Sequence, residues 1–294
     1  MSVGACYGFD VRSSVPLEYL RTGGGEPLEI AAHAAEGPRT DDALLVEWEP
    51  APERPLEARL YSDGHSFRLW IGDGGWFSIE PADGRIEVPA DGGLRREERL
   101  WGIPSLLCFL AHGDLPLHAA AVETDGGALI VAAPRTYGKT TMAAAFHRAG
   151  RRVLSEDTTC VRLGPEPAVV PGPAMLRVRH DVAAELELPS ARRVGESEDR
   201  VHYALESPGD CEPVPVRGVV FLDAADEARL EPVDRAEALR DLWALSFRLP
   251  TEEDVGRSFA GVTDLAAAVP VWRLSRPLDL RAIDDHLELV LAGV

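Results

Sequence analysis

The sequence is nearly without lysine: of its 30 basic side chains all but one are arginine, the exception being Lys139. The two cations are not interchangeable, since lysine is a compact point charge on a flexible stem and arginine a wide planar fork. Cysteine is also sparse, with Cys6, Cys108, Cys160 and Cys211 far apart and never in a C-x-x-C pair. That excludes a zinc knuckle or a dithiol redox pair and leaves buried thiols in a reducing cytoplasm as the expectation. Long apolar runs are missing. The longest, residues 128–133, is far too short to span a bilayer. The opening MSVGACYGFDVRSS lacks the basic and apolar regions of a secretory signal. Positive charge is lacking overall, with a net charge of −19 and a pI near 4.8. So acidic a surface argues against nucleic-acid binding and against an anionic membrane partner. A cytoplasmic protein is expected.

What is present fits a globular chain. Its 294 residues are 45% hydrophobic and 27% charged, enough for one large or two small domains. Residues 1–95 read as short strands and Gly-rich turns, with strands at 44–48, 66–71, 76–79 and 85–88. The spacing predicts a β-meander or small sandwich without a nucleophile or phosphate loop, hence a structural or docking role. From residue 96 strands and helices mix. The pattern predicts helices at 99–112, 139–149, 181–188, 235–249, 258–268 and 278–291. It predicts strands at 117–122, 128–133, 152–157, 160–163, 168–170, 214–222 and 269–274. The turn 124–127 makes a hairpin of the first two strands, and the polar stretch 189–212 reads as a mobile loop of the kind that meets partners. The division is 1–95 and 96–294, and the second part has an α/β pattern.

The chemistry concentrates at Ala133-Pro134-Arg135-Thr136-Tyr137-Gly138-Lys139-Thr140-Thr141. Strand, loop, GK[ST] and helix follow in the order of a Walker-A motif. Loop and helix-terminal N–H groups would face phosphate oxygens. Lys139 would reach the β- and γ-phosphates of ATP, and the Thr140 hydroxyl would meet Mg²⁺. Ala133 stands where the motif begins with glycine, and Pro134 removes one amide donor. An ordinary turn with a surface lysine is the plain alternative. Glu156 and Asp157 end the next strand, where acids beside a phosphate loop hold Mg²⁺ or activate a hydroxyl. His118 lies on the strand hairpinned to the loop strand. On its own it reads as a core histidine, as do the other seven. Arg177 and Arg179 alternate and so share one side of a strand, where two cations would neutralise a transferring phosphoryl group. A surface salt-bridging pair is the alternative.

Taken together, Leu117-His118-Ala119, the Lys139 loop, Leu154-Ser155-Glu156-Asp157 and Leu176-Arg177-Val178-Arg179 resemble the catalytic domain of HPr kinase/phosphorylase. They resemble still more the short HPr-kinase-like proteins found beside peptide-natural-product genes, including lasso-peptide tailoring kinases, whose opening YGFDVRSSVPLEYL resembles. The resemblance implies an α/β fold: a P-loop core like that of phosphoenolpyruvate carboxykinase and HPr kinase, preceded by a small, mostly β N-terminal domain. It implies that Lys139 and Thr140 bind ATP and Mg²⁺, that His118 lies near the reacting phosphate, and that Asp157 helps hold the metal. The first acid would take the acceptor's proton. Here that is Glu156 where the family has Asp, moving the carboxylate on the order of 1.5 Å, and misplacement of that size costs ~100-fold in rate. The implied activity is γ-phosphoryl transfer to a Ser/Thr hydroxyl of a peptide or small protein, such as a natural-product precursor peptide. Two alternatives stand beside it: a catalytically weakened nucleotide-binding regulator, motivated by Ala133, Pro134 and Glu156, and a small-metabolite kinase. A homo-oligomer is open, since full-length relatives form hexamers.

Overall fold

The structure is a computed structural model that describes residues 1–33, 36–50, 57–134, 136–206 and 208–294. The first eight strands are β1 (Ser2–Cys6), β2 (Phe9–Ser13), β3 (Glu26–His33), β4 (Ala43–Trp48), β5 (Ala58–Ser62), β6 (Phe67–Ile71), β7 (Gly75–Glu80) and β8 (Arg85–Pro89). They form one sheet in the order β1-β2-β3-β8-β7-β6-β5-β4. From β4 to β8 the strands run as the expected antiparallel meander. The rest is new: β3 inserts between β2 and β8 and runs parallel to both. These early strands are hard to read because they are short. In β2, Phe9, Val11 and Ser13 are buried and Arg12 is exposed, a period of two seen only over five residues.

Helices α1 (Gly93–Leu100) and α2 (Ile103–His112) follow where a single helix was expected. The break falls at Trp101 and Gly102, and Pro104 occupies the first turn of α2, a position that tolerates its missing N–H. Next come β9 (Leu115–Leu117), β10 (Ala119–Thr124), β11 (Gly127–Ala132), α3 (Lys139–Arg148), β12 (Val153–Ser155), β13 (Thr159–Arg162), β14 (Ala168–Val170), β15 (Met175–Arg179) and α4 (His180–Glu185). The chain ends with β16 (Ala191–Glu196), β17 (Arg200–Leu205), β18 (Val214–Ala224), β19 (Arg229–Pro232), α5 (Arg235–Leu245), α6 (Glu252–Ala268), β20 (Val271–Arg276) and α7 (Ile283–Gly293).

The second sheet has the order β12-β10-β11-β18-β14-β13-β9, with β20 beside β18 and β19 beside β20. Strands β11, β18 and β20 are mutually parallel, while β10 and β11 form the expected antiparallel hairpin. Small side chains explain the close layering. Ala120, Val122, Leu129 and Val131 pack toward α3 and α7. The alternate residues Ala119, Ala121, Ala128 and Ile130 pack toward α5 and α6. This is a sheet covered by helices on both faces, a mixed α/β architecture.

The stretch 189–212 is not a mobile loop among its described residues. Strand β17 pairs with both β15 and β16 in a three-stranded sheet. Its polarity misleads because one face meets solvent, and a register shift between Arg193 and Gly195 breaks the alternation. The four cysteines are unpaired and buried. No described helix is long and apolar enough to cross a membrane.

Candidate functional site

Two neighbouring strands are interrupted at the same level. On one, β9 ends at Leu117 and β10 begins at Ala119, so His118 lies in a break and not within a strand, as the sequence had suggested. On the other, β12 ends at Ser155 and β13 begins at Thr159, so Glu156 and Asp157 lie in the matching break. Leu117 is opposite Thr159 and Ala121 is opposite Ser155, which brings the two interruptions side by side. The Thr159 hydroxyl closes the gap by donating to Ala119 O at 2.9 Å, while Ser155 Oγ lies 2.7 Å from it. The chain leaves the sheet on both strands here and presents His118, Glu156 and Asp157 to the start of α3.

The segment from β11 to α3 is tightly turned. Gly138 caps α3 with φ at 85°, and a Cβ there would lie 2.7 Å from Arg276 Nη2. Thr136 also has a positive φ, 71°, which is strained for a β-branched residue. The N-cap residue, Gly138, supplies no side-chain cap, and a helix start of this kind favours an anion. Pro134 and Thr136 are exposed, Ala133 is buried, and Tyr137 and Thr141 are half-buried. Arg135 lies outside the described residues.

Lys139 is only 8% exposed. Its Nζ donates to Ala133 O at 3.0 Å and lies 3.0 Å from His118 Nε2. The other His118 nitrogen, Nδ1, is 3.5 Å from Asp157 Oδ1. Burial holds the His118 imidazole below its ordinary value; Asp157 opposes this and Lys139 adds to it. A neutral ring satisfies both contacts at once, with Nε2 accepting from the ammonium and the Nδ1 proton turned to the carboxylate.

The two acids differ. Glu156 is 1% exposed and both its oxygens are engaged. Oε1 accepts from the Thr140 hydroxyl at 2.6 Å, and Oε2 accepts from Arg177 Nε at 2.9 Å and Nη2 at 2.8 Å. The Asp157 side chain is 44% exposed and lies 3.4 Å from the Arg177 guanidinium. Burial at the cavity floor works to raise the Asp157 carboxyl, but Arg177, His118 and Lys139 together hold it below the ordinary carboxylate value. Arg177 keeps its proton more firmly than usual, because Glu156 and Asp157 outweigh the cost of its burial.

The two predicted arginines thus part company. Both line the same cavity, as their alternation requires. Arg177 reaches the acids, whereas Arg179 is 64% exposed and pairs with Asp181. Sequence reasoning missed several residues here. Arg200 bonds to Arg177 O at 2.9 Å and stands 3.8 Å from Glu156. His202 Nδ1 is 2.5 Å from Glu98 Oε1, tying β17 to α1. The alternation of Val201, Tyr203 and Leu205 was the available signal for β17. Arg276, at the end of β20, carried no signal beyond its position before a proline.

These groups form the floor of a cavity of about 1130 Å³. Its other wall comes from Trp48, Asp73 and Arg95 of the N-terminal region and from Glu98, Ile103 and Leu106 on α1 and α2. Comparison with protein families matches none, and no curated protein matches the chain. Among solved structures the chain is similar to the Hpr(Ser) kinase/phosphatase from Coxiella burnetii, with 9% identity and a TM-score of 0.33. That match covers 60% of this chain and 93% of the other. So distant a likeness decides nothing about this chain, and the functional reading rests on its own residues.

Proposed function

We propose that the protein is an ATP- and Mg²⁺-dependent phosphotransferase that moves the γ-phosphoryl group to a Ser/Thr hydroxyl of a peptide or small protein. One observation carries the reading. A nearly buried lysine, the only one in the chain, sits at the start of α3 and touches His118, which in turn faces Asp157. Such an arrangement supplies a phosphate clamp and a half-exposed carboxylate at one cavity floor.

The roles follow from the contacts. Lys139 and the α3 N–H groups receive the β- and γ-phosphates. Asp157, and not Glu156, takes the acceptor's proton, because the Glu156 oxygens are already held by Thr140 and Arg177. Glu156 is then a positioning residue that fixes Thr140 and Arg177. The acceptor oxygen bonds to the γ-phosphorus and the bond to the β–γ bridging oxygen breaks. ADP leaves, and the proton passes to Asp157. Arg177 offsets the charge spread over the transferring group. Arg179, exposed at the cavity's rim, has at most a weak share in this.

The donor set fits magnesium carried in with the nucleotide. Among the described residues, no group of three or more His, Cys, Asp or Glu could hold a metal alone. Magnesium commonly takes one or two protein oxygens, with phosphate oxygens and water completing its shell. The Thr140 hydroxyl and Asp157 carboxylate would supply those oxygens, and the bound ion would offset phosphate charge. The antiparallel β10 beside the loop strand favours an HPr-kinase-like core over a Ras-like parallel one. In this reading 96–294 is the phosphotransfer unit and 1–95 helps receive the acceptor. The cavity volume of about 1130 Å³ exceeds the roughly 300–1,000 Å³ of ordinary small-ligand sites. It leaves room for a nucleotide and a chain segment, which favours a polymer acceptor over a small metabolite.

Calorimetry with Mg-ATP, together with ATP consumption in the presence of candidate peptides, tests this. Wild type binds and turns over, and Lys139→Ala loses turnover by on the order of a thousandfold or more. Undiminished turnover by Lys139→Ala refutes the reading. Binding without turnover by wild type supports the rival, a nucleotide-binding regulator.

A further inference from the structure

Arg276 is the last residue of β20 and is 3% exposed. Strands β11, β18 and β20 run parallel, so their carboxyl ends share one edge. Ala132 and Arg273 both sit level with Phe221. Arg276 therefore stands three positions farther out, about 10 Å at strand spacing, at the level of the loop that follows β11. Ligands of parallel sheets gather at this edge.

The guanidinium is short of partners. Its Nη2 donates to Tyr137 O at 3.1 Å and its Nη1 to Pro277 O at 3.3 Å. Its Nε has no partner among the described residues. Two carbonyls occupy two of the five N–H donors an arginine carries. Among the described residues no carboxylate pairs with it. The nearest candidate in sequence, Asp279, is committed to Arg281 by two side-chain bonds at 3.1 and 3.0 Å. The neighbouring buried His286 is an imidazole, neutral or cationic, and supplies no anion; burial and then the Arg276 charge hold it below its ordinary value. Arg68 and Arg96 in the N-terminal region also have an unpartnered nitrogen, but neither lines the cavity as Arg276 does.

A cation removed from water without an anion is costly unless a ligand completes it. We propose that Arg276 is a phosphate-binding residue, contacting the polyphosphate of the bound nucleotide from the side of the loop opposite His118. It rests on the nucleotide reading above and deepens it. The missing side chain at Gly138 then has a purpose, since a Cβ there would crowd Arg276 Nη2 and glycine lets the fork lie against the loop where phosphate oxygens arrive.

The test compares wild type, Lys139→Ala, Arg276→Met and Arg276→Lys, each titrated by calorimetry with Mg-ATP and with tripolyphosphate. Unliganded melting temperatures are measured alongside. Arg276→Met is expected to bind both probes roughly tenfold to a hundredfold more weakly, with an unliganded melting temperature no lower than wild type. Arg276→Lys keeps the charge without the fork and falls between, and it serves where Met is not accommodated. Unchanged affinity of Arg276→Met for both probes overturns the inference. Weaker binding with a lowered unliganded melting temperature makes Arg276 a prop for the loop and also overturns it. If wild type binds neither probe, the nucleotide reading falls too. If Lys139→Ala abolishes binding that Arg276→Met retains, this inference falls alone.

Discussion

Beneath the N-terminal sheet, Arg21 is 2% exposed and donates to Gly172 O at 2.6 Å, Val153 O at 2.7 Å, Leu154 O at 3.2 Å and Pro208 O. Nearby, Glu97 is 1% exposed and accepts from Glu18 N at 2.7 Å, Tyr19 N at 2.9 Å and Trp101 Nε1 at 3.2 Å. Every nitrogen of that guanidinium and both oxygens of that carboxylate are spoken for, and no room is left for a ligand. At the cavity floor the pattern reverses. Arg276 uses two donors, Asp157 is half-exposed, and the N-cap residue of α3 supplies no side-chain cap. Charge serves two ends. Where neighbours saturate it the charge holds the fold, and where they do not it waits for a partner from outside.

The largest effect that would break this contrast is at Asp157. Asp157→Asn is expected to slow phosphoryl transfer about 10²–10⁴-fold while its unfolding midpoint in urea stays near that of wild type. A large stability loss with modest kinetic change would put Asp157 on the structural side. Arg177→Met should lower stability as well as transfer, because it strands Glu156 and removes a cation from the floor. Leaving one buried partner uncompensated costs about 3–5 kcal/mol, read as a lowered unfolding midpoint.

Glu97 sharpens the contrast through pH. Burial is the main cause that pushes its carboxyl up to about 6, against 4.5 for the free group, with three N–H bonds opposing. The folded state therefore holds the proton more tightly than the unfolded chain. The associated stability is full below about pH 4.5 and is lost as pH rises through about 6. The loss amounts to about 2 kcal/mol, at 1.36 kcal/mol per unit. Melting temperatures of wild type and Glu97→Gln between pH 4 and 7 should differ in slope over that window, the variant being flat. The smallest effect belongs to Arg179→Met, expected to change stability by no more than about 0.5 kcal/mol, since both partners of its ion pair are exposed.

Much of the floor was legible in the sequence because its parts are local. The β10–β11 hairpin, the loop and α3 follow one another within thirty residues of chain, each with its own signal in turn glycines, small apolar runs or helix formers. The paired interruptions at His118 and at Glu156–Asp157 were not legible. They arise because β9 leaves β10's partners for β13, a pairing between distant segments. The resemblance gave Glu156 and Asp157 different roles, but not the contacts that tell them apart. Their roles diverge through Thr140 and Arg177, which only the folded chain brings to one of them. Arg200 and His202 were hidden in a stretch whose polarity reads as a loop. Arg276 was hidden because its interest lies in contacts it lacks.

The reach of Arg21 has a consequence for how the protein is made. Its carbonyl acceptors at Val153, Leu154, Gly172 and Pro208 lie 132 to 187 residues downstream. At about 5–20 residues per second the ribosome takes roughly ten to forty seconds to deliver the last of them. Until then the N-terminal strands carry a cation whose set of acceptors is incomplete. The anchoring of β12 and of the cavity floor beside it to the N-terminal region is therefore completed late in translation, when the Pro208 carbonyl takes the last of the Arg21 bonds.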